Sequence, residues 1–138
     1  MKIFIDANIL VSVLNKEYPL FTYSARILSL ADNSKYEIYT SPVCLAIAFY
    51  FAEKKSGRRE AKKKIGILVS KINIAEADRK IVQQAVEDKS VDDFEDGLEY
   101  YSALKAGCKW IVTEDKKDFH FSKVPVLSAL QFLEEYVL

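Results

Sequence analysis

Carboxylate side chains stand at three places in this sequence where they could together hold a divalent cation. Asp6 follows a short apolar run, and Asp115 follows another near the end of the chain. Asp93 and Asp96 lie three positions apart at the start of a helical stretch, which makes them neighbours on one face. Clustered carboxylates raise one another's pKa unless a cation neutralises them. The expected partner is Mg²⁺ or Mn²⁺, which could support hydrolysis of a phosphodiester.

Each carboxylate also has a purely structural explanation. Asp6 could cap the helix that follows it, and Asp93 with Asp96 resembles a capping pair at the positive end of a helix dipole. Asp115 could be an ordinary turn residue. The order of the groups favours a site, because one acid follows the first apolar run, a pair opens a late helix and another acid follows the next apolar run.

Short apolar runs alternate with helical patterns along the chain. Strands are predicted at residues 2–5, 37–40, 72–74, 110–113 and 124–127. Helices are predicted near residues 8–14, 19–33, 42–55, 58–71, 76–87 and 92–107, and from Ser128 onward. This alternation is typical of βαβ units in an α/β protein, whose working site lies beyond the carboxyl ends of its parallel strands. The helix over 42–55 is apolar almost all round and is expected to be buried.

Composition narrows the class of protein. The chain has 138 residues, of which 50% are hydrophobic and 29% charged, and its formal net charge is zero. This balance fits one globular domain over residues 1–138 and offers no global attraction for nucleic acid. Cys44 and Cys108 form no CxxC motif, and His120 is the only histidine. A zinc site of the Cys/His type is therefore disfavoured, and reduced, buried thiols are expected.

The amino-terminal residues predict neither secretion nor membrane insertion. Asp6 and Asn8 interrupt the apolar run that follows Lys2, so no secretion signal is expected. No stretch reaches the roughly 18 uninterrupted apolar residues that a membrane span needs. A soluble, cytoplasmic protein without contact to a membrane is the expectation.

Three motifs, in the same order along the chain, resemble those of PIN domains, the fold of VapC-type toxin ribonucleases. Residues 4–10 (Phe-Ile-Asp-Ala-Asn-Ile-Leu) are similar to the opening motif of that family. Residues 93–103 resemble the helix that carries its third acid, and residues 112–119 resemble its Thr-x-Asp segment. Residues 125–128 followed by a helix are similar to its closing strand and helix. The resemblance spans essentially the whole chain.

The resemblance implies a three-layer α/β/α fold with a central, mostly parallel sheet. It implies that Asp6, Asp96 and Asp115 bind Mg²⁺ or Mn²⁺. It also implies that Asp93 is an additional acid at the edge of the catalytic site. Polar neighbours that would orient ligands or water are Asn8, Thr113 and Asp118. The family also implies RNA as substrate, homodimers and commonly a cognate antitoxin.

One residue of the family pattern is missing. PIN domains usually carry a glutamate on the helix after the second strand, and alignment of residues 40–46 with that segment places Ile47 there. Glu53 is the first carboxylate on this helix and lies six residues further, roughly 9 Å along the axis. An alternative is therefore a catalytically degenerate PIN domain that serves as an RNA- or protein-binding module.

Two other kinds of α/β protein also use an acid after the first strand. A haloacid dehalogenase-like phosphatase needs a second aspartate at the position that Asn8 occupies. A phosphorelay receiver domain needs a phosphate-accepting aspartate after a middle strand, and residues 74–76 contain none. Both alternatives are disfavoured.

A basic stretch over residues 54–64 is the strongest local charge feature. Its candidates for contact with RNA phosphates are Lys54, Lys55, Arg58, Arg59 and Lys62. The alternative is an ordinary solvated helix face. Tyr100 and Tyr101 could stack on RNA bases, although tyrosines at such positions more often belong to a core or a dimer interface.

Overall fold

The computed structural model describes residues 1–137, which form a five-stranded sheet with helices packed against it. The strands are β1 (Lys2–Ile5), β2 (Glu37–Thr40), β3 (Asn73–Ile74), β4 (Trp110–Val112) and β5 (Val126–Leu127). Their spatial order is β3-β2-β1-β4-β5, and every neighbouring pair is parallel. The expected three-layer α/β/α class is confirmed.

All the predicted helices occur in residues 1–137, with ends that differ by a few positions. They are α1 (Ala7–Leu14), α2 (Leu20–Ser29), α3 (Pro42–Ser56), α4 (Arg58–Val69), α5 (Arg79–Glu87), α6 (Phe94–Lys105) and α7 (Ala129–Phe132). Short 3-10 turns cover Leu30–Asp32 and Lys116–Phe119, and a π-turn covers Leu133–Val137. Helix α5 begins later than predicted because the side chain of Asp78 caps it by accepting from the N–H of Ile81.

Strand β1 occupies the centre of the sheet and is also the point where the strand order reverses. Ile3, Phe4 and Ile5 have no exposed surface, as expected for a parallel strand that is covered on both faces. The chain runs outward from β1 to β2 and β3 on one side, and it returns to add β4 and β5 on the other. The N–H of Asp6 donates to the carbonyl of Val112 at 3.0 Å. The carboxyl ends of β1 and β4 therefore meet at the reversal point, where open α/β sheets place their sites.

The prediction that the helix over 42–55 is buried all round is wrong. Only Cys44, Ala48 and Ala52 of α3 are fully covered, and the side chains of this buried strip are small. Helix α3 packs against α1 and α4, and close approach to two neighbours needs only this narrow strip. Tyr50 and Phe51 remain 55% and 44% exposed. Apolar composition alone could not reveal this, since every side of the helix is equally hydrophobic.

A glycine sets the distance between α5 and α6. A Cβ atom on Gly97 would lie 2.8 Å from Cγ1 of Val91 and 3.1 Å from Cβ of Ala85. No larger residue fits there without movement of one of the two segments. After α6, Gly107 adopts a φ of +84°, a conformation that favours glycine and turns the chain directly into β4. Helix α6 is thus held in a defined position relative to β4.

Candidate metal centre

Thr113 joins the segment after β4 to the segment after β1. Its hydroxyl donates to Oδ2 of Asp6 at 2.8 Å and accepts from Nδ2 of Asn8 and from the N–H of Asp115, at 3.1 and 3.0 Å. A hydroxyl has one donor and two acceptor sites, so all of them are used. The Asn8 amide also donates to Oδ2 of Asp115 at 3.1 Å. Thr113 and Asn8 therefore hold the two aspartates side by side.

Asp6 is both a helix cap and a member of this cluster. Its Oδ1 accepts from the N–H of Ala7 at 2.6 Å at the start of α1, so the structural explanation for this residue is correct. Its Oδ2 belongs to the network around Thr113. The side chain is buried, with 7% exposure, and capping thus fixes the direction in which its second oxygen points.

The two acids that open α6 have different positions. Asp93 is the N-cap, and its Oδ1 accepts from the N–H groups of Glu95 and Asp96 at 2.8 and 3.4 Å. Asp96 is half-buried and lines a cleft that also contains Asp6. Burial, followed by the charges of Asp93, Asp118 and Asp6, raises the pKa of Asp96 to about 7. Asp93 therefore caps α6 and adds negative charge beside Asp96.

The cleft has a volume of about 430 Å³ and collects carboxylates from four segments of the chain. Those that line it are Asp6, Glu17, Glu95, Asp96, Glu99, Asp115 and Asp118. Burial, together with the charge of Asp115, raises the pKa of Asp118. Among residues 1–137, none of the ion pairs involves a member of this group. An oxygen-rich donor set with uncompensated negative charge fits a hard divalent cation.

Glu99 is a buried acid of this cleft that was not among the candidate site residues of the sequence. Its side chain is 2% exposed, and its Oε1 accepts from the thiol of Cys44 at 3.0 Å. Burial, and after it the hydrogen bond shared with Asp6, raises the pKa of Glu99 well above its usual range. Glu99 lies three positions after Asp96, on the same face of α6. That spacing was the signal in the sequence that could have revealed it.

Helix α3 brings apolar side chains to the same cleft. Its start is the predicted one, since the Ser41 side chain accepts from the N–H of Cys44 at 3.2 Å and Pro42 stands in the first turn. Ile47 and Phe51 line the cleft. The position where the PIN resemblance places a glutamate therefore faces the site and carries a hydrocarbon side chain.

The basic stretch begins on α3, one turn beyond a residue that lines the cleft. Phe51 lines the cleft, and Lys54 follows three positions later on the same side of α3. All five candidates for contact with RNA phosphates are exposed on the surface: Lys54, Lys55, Arg58, Arg59 and Lys62. Lys55 differs from the others because its ammonium donates to the carbonyl of Asn15 at the end of α1. Its charge is thus partly used within the protein.

The tyrosines of α6 do not form a platform for RNA bases. Tyr100 is 3% exposed, and its hydroxyl accepts from the N–H of Lys123 at 3.1 Å. Tyr101 donates to Oδ2 of Asp88 and packs edge-to-face on Tyr100. Tyr100 belongs to the core, which is the position expected more often for such tyrosines, and does not present its ring for base stacking.

Both cysteines match their expectation. Cys44 and Cys108 are unpaired and buried, and burial raises the pKa of each thiol, to about 12 for Cys108. In the described part of the chain, no helix has both the length and the apolar character required to cross a membrane.

Known proteins place this arrangement in a family. Ribonuclease VapC1 from Aquifex aeolicus is 28% identical over 139 residues, which cover 98% of this chain and 95% of the relative. The structure of VapBC2 from Rickettsia felis, bound to a DNA fragment from its promoter, has a TM-score of 0.69 at 21% identity and covers 93% of this chain and 98% of that one.

A second solved structure has the same fold. VapC20 from Mycobacterium tuberculosis, described as a toxin that cleaves the sarcin-ricin loop, has a TM-score of 0.66 at 18% identity and covers 89% of this chain and 98% of that one. The sequence profile of the PIN domain matches residues 2–117. This match includes all the aspartates of the cleft except Asp118. The chain therefore belongs to the PIN domain family.

Proposed function

We propose that this PIN domain is a metal-dependent endoribonuclease of the VapC toxin type, which hydrolyses RNA phosphodiester bonds with Mg²⁺ or Mn²⁺. The observation that carries the proposal is the convergence of Asp6, Asp96 and Asp115 on one cleft, without an ion pair to any of them among residues 1–137. The match to a ribonuclease along almost the full length of both chains supports the same activity.

In this proposal the aspartates of the cleft hold the ion, and their neighbours hold the aspartates. Asp6, Asp96 and Asp115 are the ligands, and Thr113 with Asn8 fixes the relative position of Asp6 and Asp115. When bound, the ion would stabilise the charge that develops on the phosphate and would make water a better nucleophile. The oxygen of a water bonds to phosphorus and passes one proton to a cleft carboxylate, while the bond to the leaving ribose oxygen breaks and that oxygen takes a proton from the solvent. Asp118 orients that water.

The basic surface beside the cleft is the proposed path of the RNA backbone. The side chains available for phosphate contact are Lys54, Arg58, Arg59 and Lys62, with Lys55 already bonded to a carbonyl. A neutral protein with an acidic cleft repels a polyanion unless positive charge lies close by. Placement one turn beyond Phe51, which lines the cleft, is consistent with this use.

We further propose a cognate antitoxin and a homodimer as the assembly partners. The likeness of the fold to VapBC2 of Rickettsia felis, whose structure was determined on promoter DNA, supports the antitoxin. The homodimer rests on the resemblance to the PIN domain family. The proposed compartment is the cytoplasm, because two unpaired, buried thiols suit a reducing environment.

A degenerate PIN domain that binds RNA or protein without cutting is the second candidate. The observation that favours it is Ile47, which lines the cleft with a hydrocarbon side chain at the position expected for a glutamate. The adjacent Phe51 is 44% exposed, so this wall of the cleft offers apolar surface in place of a metal ligand.

Cleavage of a labelled RNA of mixed sequence separates the two candidates. The parent protein is assayed with Mg²⁺, with Mn²⁺ and with EDTA, beside Asp96→Asn and the control Asp32→Asn, whose carboxylate is 72% exposed outside the cleft. Metal-dependent cutting by the parent and by Asp32→Asn, but not by Asp96→Asn, is the expected result. RNA binding without cleavage in every sample that contains metal would support the binding module.

A further inference from the structure

A buried carboxylate that is not among the candidate site residues of the sequence lies at the floor of the cleft. Glu99 stands one turn after Asp96 on α6 and lines the same cleft as Asp6. One oxygen of Glu99, one oxygen of Asp6 and the sulfur of Cys44 all lie within 4.8 Å of one another. This separation is short enough for a single ion to contact more than one of these atoms.

The surroundings of Glu99 contain little that would compensate a buried charge. Glutamate is almost never fully buried unless it is paired, yet in residues 1–137 none of the ion pairs includes Glu99. Besides the hydrogen bond that it shares with Asp6, it accepts from the thiol of Cys44 at 3.0 Å. A thiol is a weak and neutral donor. The position therefore suits a carboxylate that meets a cation in the cleft.

None of the α3 residues that line the cleft carries a carboxylate. Ile47 lies one turn after Cys44 on α3 and lines the cleft. Helices α3 and α6 pack against each other, so side chains from both reach the same floor. A carboxylate from α6 can therefore occupy space that a longer acidic side chain on α3 would otherwise fill.

We propose that Glu99 is the fourth carboxylate of the metal site and that it replaces, from α6, the ligand that Ile47 does not provide on α3. Cys44 is the positioning residue that holds Glu99 in place. This inference rests on the proposed function for the presence of a divalent ion, but not for the cutting of RNA. It explains how a PIN domain with isoleucine at this position keeps four carboxylates in the cleft that would hold the metal.

Direct binding of Mn²⁺ tests the proposal without RNA. Isothermal titration is performed on protein stripped with EDTA, for the parent and for Glu99→Gln. We expect Glu99→Gln to weaken Mn²⁺ binding at least tenfold. Ile47→Glu combined with Glu99→Gln should recover most of the loss, because it returns a carboxylate to the same floor from α3. Glu99→Asp keeps the charge but shortens its reach, and should bind with intermediate affinity.

Two glutamate controls separate ligation from general charge. Glu95→Gln removes an exposed carboxylate from the same cleft, and Glu87→Gln removes an exposed one at the end of α5. Neither should weaken Mn²⁺ binding by more than about threefold, the size expected for a screened charge. Circular dichroism verifies that each variant is folded. If Glu99→Gln unfolds, Glu99→Asp and the double variant Ile47→Glu with Glu99→Gln still test the role of Glu99.

The possible outcomes bear separately on the two proposals. Unchanged Mn²⁺ binding by folded Glu99→Gln, or an equal loss in Glu95→Gln, would overturn the role of Glu99. Absence of Mn²⁺ binding by the parent would overturn it too, together with the metal-dependent chemistry. A parent that binds Mn²⁺, loses it in Glu99→Gln and yet cuts no RNA would refute the ribonuclease alone and support the role of Glu99.

Discussion

The thiol of Cys44 donates to Oε1 of Glu99 across the contact between α3 and α6, with 3.0 Å between sulfur and oxygen. Burial, followed by the nearby charge of Glu99, raises the pKa of the Cys44 thiol well above its usual range. The thiol therefore stays protonated and remains a donor. In this way the helix that follows β2 and the helix that precedes β4 are linked directly at the floor of the cleft.

Removal of the Thr113 hydroxyl should impair the metal site although Thr113 is not a proposed ligand. Thr113→Val keeps the shape of the side chain but leaves Asp6 and Asn8 without this partner. Loss of such a supporting hydrogen bond typically costs 10- to 100-fold in metal affinity, so we expect about a tenfold loss of Mn²⁺ affinity. Thr113→Ser retains the hydroxyl and serves as the control. Equal Mn²⁺ affinity of the valine variant and the parent would contradict the role of the network.

Substitution of Gly97 should destabilise the fold through the contact between α5 and α6. In Gly97→Ala the new Cβ would lie 2.8 Å from Cγ1 of Val91, and such overpacking costs about 1–3 kcal/mol in the free energy of unfolding. Gly66→Ala is the matched control, because no atom lies within 4 Å of its added Cβ. That change should stabilise α4 by about 0.5–1 kcal/mol. Urea unfolding measures both, and a neutral Gly97→Ala would show that the helices can separate freely.

The acid cluster should make the metal-free protein less stable as the pH rises. Burial and the neighbouring charges of Asp93 and Asp118 raise the pKa of Asp96 to about 7, against about 4 in an unfolded chain. Between about pH 4 and pH 7 the folded protein therefore holds a proton on Asp96 that the unfolded chain has released. The protonated Asp96 stabilises the folded state at low pH, and this stabilisation is lost as the pH rises from about 4 through about 7. Asn does not titrate, so Asp96→Asn escapes this loss.

Unfolding of both proteins in EDTA at pH 5 and pH 8 provides the measurement. The free energy of unfolding of Asp96→Asn relative to the parent should increase by roughly 1–2 kcal/mol from pH 5 to pH 8. This is less than the pKa shift of Asp96 would give in full, because solvent screens the half-buried carboxyl. A difference that stays constant with pH would show that Asp96 titrates normally.

The basic surface should be visible in the salt dependence of RNA binding. Arg58→Gln with Lys62→Gln removes two exposed charges of α4, and Lys35→Gln with Lys109→Gln removes two at the opposite, amino-terminal edge of the sheet. Each lost phosphate contact lowers the slope of log affinity against log salt by about 0.7 for a single strand, so the first pair should lower it by about 1–1.5. The second pair should leave the slope unchanged. Equal slopes for both pairs would place the RNA elsewhere.

Much of the fold could be predicted because local chemistry and tertiary structure agree. The cap formed by Ser41 and Pro42 marks the start of α3, and the apolar run of β1 marks a strand covered on both faces. The alternation of strands and helices predicts a parallel sheet. The sequence did not predict that β1 pairs with β4, although the site requires it. Residues 5 and 112 lie side by side in the sheet because of tertiary packing, which no local sequence pattern encodes.

The floor of the cleft could not be predicted in the same way. Glu99 resembles a surface residue in any hydrophobic pattern, since glutamate is seldom buried. Its burial depends on Cys44, a residue 55 positions away on another helix. In contrast, Asp6, Asp96 and Asp115 stand at the ends of strands or the start of a helix, where spacing alone indicates them. Side chains that reach a site from the middle of a helix need the packing of that helix to be known.

The position of β1 at the reversal of strand order also determines when the site can form during synthesis. Asp6 is made more than one hundred residues before its neighbours Thr113 and Asp115. Such distant contacts close only after the intervening chain is available. A nascent or truncated chain that stops before β4 therefore cannot gather the carboxylates. For a protein proposed to cut RNA, the translation machinery that makes it is exposed to the finished cleft only after β4 and the residues behind it have been synthesised.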